Sequence, residues 1–308
     1  MGRSKRAVYI ESLKKKIAIR RILSELLVIL GIAALGLSVA LTGKISHTDN
    51  SRALSLWRDS DYQSVYTLAL KNLEKAPLSG FWLTMKGFSA FQLASAQVTA
   101  EETETFIDQA IFALRKALLD DKLNDPRVYY VLGKAYFLKG EFYADVSINY
   151  LEKARQMGYE PLDLAEFLGL SYSRTGDYQK SIEAFTRALG DYPSDLLLLA
   201  LARNYTALDD TMNSSAYLLR CIDQTKDVDI KNQARIQLGV NYIKDGEWAA
   251  AQVVFSAVLS DDEQNAVAHY HMGEVFQGLG DSVKARSEWR KALRIDPSHA
   301  PSRERLKL

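Results

Sequence analysis

The chain has 308 residues, a formal net charge of +1, 47% hydrophobic residues and 25% charged residues, which suits a folded protein of two average domains or one long repeat array. Its single cysteine, Cys221, excludes an internal disulfide and a cysteine-based metal cluster, and leaves the redox compartment open. Eight basic side chains within residues 1–21 face Glu11 alone, so the remaining body is mildly acidic and gives no support to nucleic-acid binding.

After this basic flank, Ile22–Leu41 reads ILSELLVILGIAALGLSVAL, with no charge from Leu26 onward. A helix over residues 22–42 is just long enough to cross a bilayer of about 30 Å. Glu25 sits near the entry end, where it reaches the headgroups or pairs with Arg21 one turn earlier. Two alternatives stand beside the transmembrane helix: a buried helix of a soluble domain, and a cleaved signal peptide using Ser38 and Ala40 as a small-x-small site. The long basic flank argues against cleavage. Lys44 and Arg52 are the only nearby positive charges after the span, so the positive-inside rule puts 1–21 in the cytoplasm as a basic segment. Residues 43–308 then lie on the other side. Residues 7–21 mix aliphatics with lysines; they either lie along the inner membrane surface or only set topology.

Beyond residue 46 a pattern recurs. Its clearest copy is Leu162–Asp195, where Leu168, Gly169 and Tyr172 share one helical face and Gly176–Asp177 breaks the pattern. Ser181, Phe185 and Ala188 resume it, and Pro193 ends it. Small residues at Gly169 and Ser181 let two antiparallel helices approach closely. The small residue after the leading leucine falls at Ala53, Gly87, Gly133, Gly169, Ala202, Gly239 and Gly273, with spacings of 34, 46, 36, 33, 37 and 34. This predicts seven helix-turn-helix units near 46–79, 80–125, 126–161, 162–194, 195–231, 232–265 and 266–299, then a short C-terminal cap at 300–308. In the second unit, about eleven extra residues are expected between its helices, with Thr99 or Thr103 capping the second helix. Cys221 occupies the place of Ala188 and Ala292 and reads as a small buried hydrophobe.

The order L-G-x-x-Y, turn glycine, A-x-x-x-F-x-x-A and late proline resembles the tetratricopeptide repeat, on Gly169, Tyr172, Gly176, Phe185, Ala188 and Pro193. Gly273, Gly280, Ala285, Ala292 and Pro297 carry it again. The family's usual aromatic at the fourth position is missing at Ala165, Arg235 and His269. The resemblance covers residues 46–299 and implies an all-α, right-handed superhelix that binds proteins and performs no catalysis.

No catalytic constellation competes with that reading. His269 and His271 lie two apart on a predicted helix and point to different faces, so they cannot share one metal. Gly278 and Gly280 close a hairpin and match no phosphate loop. Asp209–Asp210 and Asp261–Asp262 read as turn and cap residues. Asn204 and Asn213 begin glycosylation triplets, the first of them inside a helix. No cofactor or metal is expected.

The resemblance further implies a concave groove lined by the first helix of each unit. Its ligand-facing positions project onto Phe81, Thr84, Met85, Phe88 and Phe91 in the second unit. In the third they project onto Arg127, Tyr130, Val131, Lys134 and Phe137. This end is aromatic and apolar, with two cations at its side. The family's clamp for an acidic C-terminus cannot be assembled, because the sixth position holds Met85, Val131, Phe167, Ala200, Gln237 and His271. The candidate partner-binding set is Phe81, Met85, Phe88, Phe91, Arg127, Tyr130, Lys134 and Phe137, and the candidate ligand is an apolar or amphipathic protein segment. The alternative is that these aromatics pack against neighbouring helices or against Ala94–Glu104. A more polar groove follows at Gln233, Gln237, Tyr270, His271, Glu274 and Gln277. Together these readings describe a scaffold or adaptor, bound to the lipid bilayer through residues 22–42, with its repeats outside the cytoplasmic (inner) membrane in a periplasm-like space. A periplasmic holdase or translocon accessory for unfolded clients is the alternative function.

Overall fold

The computed structural model describes residues 47–120, 123–191 and 194–307. The basic segment and the expected span at 22–42 lie outside the described residues. Among the described residues no helix is long and apolar enough to cross a membrane.

All regular structure among the described residues is helical. The first helices are α1 (His47–Arg58), α2 (Tyr62–Lys75), α3 (Gly80–Ala94), α4 (Ala100–Ala117), α5 (Pro126–Lys139), α6 (Ala144–Gln156) and α7 (Leu164–Thr175), with a 3-10 turn at Glu141–Tyr143 before α6. They continue with α8 (Tyr178–Asp191), α9 (Asp195–Ala207), α10 (Thr211–Gln224), α11 (Val228–Lys244), α12 (Trp248–Asp261), α13 (Ala266–Gly278), α14 (Ser282–Ile295) and α15 (Ala300–Leu306). The chain divides after Thr175 into two compact units, α1–α7 and α8–α15. Within each unit, sequential helices pack on one another, and alternate helices also touch: α3 with α5 and α5 with α7, then α9 with α11 and α11 with α13. The first helices of successive hairpins therefore lie side by side and build a continuous face.

Local chemistry marks the ends of these helices. Asp61, Ser79, Asp125, Asp210, Asn265 and Asp281 each accept a hydrogen bond from an amide of the first turn. Several turns between paired helices use a left-handed residue. Gly246 and Gly280 supply it at φ +79° and +85°, whereas Ser60 and Asp209 adopt φ 59° and 64° with a side chain attached.

The glycines of the repeat pattern act through close approach. A Cβ on Gly87 would lie 2.4 Å from Leu114, on Gly133 2.5 Å from Leu151, on Gly239 2.4 Å from Phe255, and on Gly273 2.3 Å from Trp289. The missing Cβ is what lets the two helices of a hairpin touch.

The irregular second hairpin differs from expectation. Its surplus residues do not form an insertion between the helices: α3 and α4 are separated only by residues 95–99. The extra length goes into α4, which has 18 residues against 14 in α14, and into the connection 118–125. Thr99, not Thr103, is the cap. Its Oγ1 accepts from Glu102 N at 3.2 Å and donates to Glu102 Oε2 at 2.9 Å, so this N-cap starts the helix early.

Buried hydrogen bonds that the repeat pattern did not announce join helices within and between hairpins. Ser147 Oγ donates to Gly133 O at 2.8 Å and meets Ser171 Oγ at 3.0 Å. Asn204 Nδ2 donates to Ser181 Oγ at 2.9 Å, and Asn241 Nδ2 to Ser214 Oγ at 2.9 Å. All six side chains are buried. The array ends on α15, whose Leu306 is buried and whose Arg305 donates to Glu274 Oε1 at 2.8 Å.

Candidate functional site

A small cavity opens in the first unit, walled by residues of α1, α3, α5 and the 157–163 connection. Trp57, Phe88, Phe91, Gln92, Arg127, Tyr130, Val131, Lys134, Tyr159 and Pro161 line it, and its volume is about 40 Å³. That is room for about three water molecules or one small side chain.

The eight expected binding residues separate into two groups. Phe81, Met85 and Phe88 are 7%, 2% and 2% exposed and belong to one apolar cluster with Trp57, Trp82 and Leu114. The reason lies in α3 itself. GFWLTMKGFSAFQLA is apolar on every side, it is covered by α2, α4 and α5, and eleven of its fifteen residues are buried. A projection that assumes one open face fails on such a helix. Of the three, only Phe88 also reaches the cavity wall. Phe137 is likewise buried, edge-on to Phe167 at 5.3 Å and under the Arg174 guanidinium at 3.6 Å. Phe91, Arg127, Tyr130 and Lys134 do converge on the cavity.

The two cations expected beside the groove are already paired. Lys134 Nζ donates to Asp163 Oδ2 at 2.8 Å and to Tyr130 Oη at 3.1 Å. The same ammonium lies 4.6 Å from the Phe167 ring centre, 5.0 Å from Tyr130 and 5.8 Å from Phe91, a cage of three rings. Tyr130 donates to Asp163 Oδ1. Arg127 forms a two-pronged pair with Asp125. Tyr159 packs edge-on against Tyr130 at 5.5 Å, and burial pushes its phenol up to about 12, so it stays neutral.

Trp57, Tyr159, Pro161 and Asp163 complete the site without a signal in the repeat pattern. Trp57 comes from α1, whose copy of the pattern is weak, and the other three from the connection into α7, where no period predicts direction.

The more polar positions of the second unit are occupied internally. Glu274 Oε1 accepts from Tyr270 Oη at 3.0 Å and from Arg305, and Oε2 lies 2.9 Å from His271 Nδ1. Gln237 Nε2 donates to Thr206 Oγ1 at 3.2 Å. His269 turns instead to Glu288 at 2.6 Å. Among the described residues no cluster of three or more His, Cys, Asp or Glu side chains is placed to hold a metal. Cys221 is fully buried and burial raises its thiol to about 11, which leaves it unreactive near neutrality. Asn204 is 2% exposed, so its glycosylation triplet is inaccessible in the folded protein.

Residues 144–195 match the family model described as tetratricopeptide repeat. Solved structures extend the likeness in fold. The C-terminal part of a TPR repeat-containing protein from Cytophaga hutchinsonii superposes with a TM-score of 0.60 at 15% identity, over 84% of this chain and 100% of that one. PilF of Pseudomonas aeruginosa gives 0.53 at 15% identity, over 72% and 96%. YrrB, described as a TPR protein with an unusual peptide-binding site, gives 0.51 at 23% identity, over 65% and 100%. The fold is that of a tetratricopeptide repeat array. No curated protein sequence matches the chain significantly.

Proposed function

We propose that the face built by α3, α5 and α7 binds an apolar or amphipathic segment of a partner protein, and that the chain is a non-enzymatic adaptor. The carrying observation is the cavity among Trp57, Phe91, Tyr130, Val131 and Tyr159, where the buried Trp57 and Tyr130 and the half-buried Phe91 and Tyr159 surround an opening too small for a cofactor. The peptide-binding site described for YrrB supports the reading at the level of fold. The apolar run at 22–42 and its basic flank support a single-pass anchor in the cytoplasmic membrane, with the repeats on the far side.

Position 91 is the place to test it. A photoreactive phenylalanine analogue there is expected to capture one discrete partner in intact cells, and Phe91→Glu is expected to abolish capture with melting unchanged. The same analogue at Phe112, 65% exposed on α4, is the control. Equal products from both positions would sink the groove; a broad smear from position 91 alone would favour unfolded clients. Protease added outside intact cells is expected to digest the repeats, and digestion only from the cytoplasmic side would reverse the topology.

A further inference from the structure

The guanidinium of Arg127 is unevenly served. Nε and Nη2 each donate at 2.8 Å to one oxygen of Asp125. Nη1 is buried and donates to no protein atom, in a residue only 8% exposed. A buried charged donor lacking an acceptor costs more than an ordinary hydrogen bond contributes. A ligand that brings an oxygen to it recovers that cost. Arg127 stands in the cavity wall beside Tyr130, Tyr159 and Pro161.

Charge decides which oxygen. Asp125 neutralises Arg127 and Asp163 neutralises Lys134, so these four charges sum to zero. An entering carboxylate would approach two other carboxylates, with no net positive charge to offset its desolvation. A neutral carbonyl carries no such penalty and still satisfies Nη1. The other walls, Trp57, Phe88 and Phe91, are apolar.

We propose that the cavity takes a neutral, extended stretch of a partner polypeptide. One backbone carbonyl accepts from Arg127 Nη1, and a neighbouring small apolar side chain (Ala, Pro or Val) sits against Phe91 and Trp57. This rests on the peptide-binding reading of the same face and narrows it, because it excludes an acidic C-terminus as the anchor.

The test exposes the full-length chain to two peptide libraries. One is N-acetylated, C-amidated and free of Asp, Glu, Lys and Arg; the other is acidic with free carboxylates. Binders are expected from the neutral library, with Kd unchanged between about 0.05 and 0.5 M NaCl. Arg127→Lys keeps a cation opposite Asp125 but loses Nη1, and is expected to weaken them about tenfold. If that variant melts early, an ester scan of the peptide asks the same question of the unaltered protein. Loss of about tenfold at a single bond, where the ester oxygen is the poorer acceptor, supports the anchor. Binders from the acidic library alone, weakened by salt, overturn the neutral anchor and leave the groove standing. Equal Kd for a folded Arg127→Lys, or a flat ester scan, means that solvent serves Nη1 and overturns it too. No binder from either library sinks the groove and the anchor together.

Discussion

The two units group their apolar residues differently. In α1–α7 a single apolar cluster runs from Ala53 to Tyr136 and takes in Trp57, Phe81, Trp82, Met85 and Phe88. In α8–α15 the apolar residues fall into smaller groups, one around Phe255 and Met272 and one around Trp289 and Leu306. Buried hydrogen bonds cross junctions in both units, Ser147 with Ser171 in the first and Ser181 with Asn204 and Ser214 with Asn241 in the second, where the last hairpin is also tied to α15 through Glu274 and Arg305. The cavity lies among the aromatic residues of the first unit. In the second unit Gln237, Tyr270, His271 and Glu274 are engaged by their own neighbours.

Removing a large core side chain is the strongest way to probe this contrast. Phe255→Ala in the second unit is expected to cost about 3–5 kcal/mol. Cys221 then reports the event: it is 0% exposed with its thiol raised to about 11, so alkylation at pH 8 requires opening, and the variant should be modified much faster. Peptide binding at the first unit should persist in that variant under native conditions. Its loss would mean that the units do not fold separately enough for the comparison to hold.

A smaller effect is expected from the polar junctions. Asn204→Ala leaves the Ser181 hydroxyl with one partner fewer in the core and should cost about 1–3 kcal/mol by denaturant titration. A cost indistinguishable from zero would show that these bonds set register without adding stability.

Acid should loosen the C-terminal cap next. Burial pushes the Glu274 carboxyl up, but hydrogen bonds from His271, Arg305 and Tyr270 outweigh it and hold the group below its ordinary value of 4.5. A carboxyl lowered in the folded state stabilises fully above that ordinary value, and the contribution disappears as pH falls through the lowered one. Hydrogen-exchange protection in α15 should fall as the pH drops below that ordinary value, ahead of protection in α12. Simultaneous release of both helices would refute a local latch.

The smallest effects belong to the two left-handed turns without glycine. Ser60→Gly and Asp209→Gly should each stabilise by about 0.5–1 kcal/mol, one in either unit, read as a higher midpoint in urea. Destabilisation by Asp209→Gly would show that its exposed pair with Lys244 matters more than the backbone strain.

The hairpins, their turns and the close-approach glycines were legible because each depends on residues about one repeat apart in sequence. Gly133, Gly239 and Gly273 announce their contacts by spacing alone. The site was half legible. Phe91, Arg127, Tyr130 and Lys134 converge as projected, whereas Phe81, Met85, Phe88 and Phe137 are in the core because α3 and α5 are covered on more sides than a single-helix pattern reveals. The surplus of the second hairpin was visible as a count of residues, but the N-cap at Thr99 and a longer α4 decided where it went.

By itself, then, the amino-acid sequence determined an all-helical repeat array, the register of its hairpins, and a basic flank with an apolar run ahead of it. Those follow from periodicity, which local geometry converts directly into faces. Only the tertiary structure decided which aromatic residues are walls and which are filling. Nor could any pattern foresee that both cations of the groove are already neutralised, with Arg127 Nη1 left over. Burial and charge pairing are set by neighbours distant along the chain, and a repeat pattern holds no record of them.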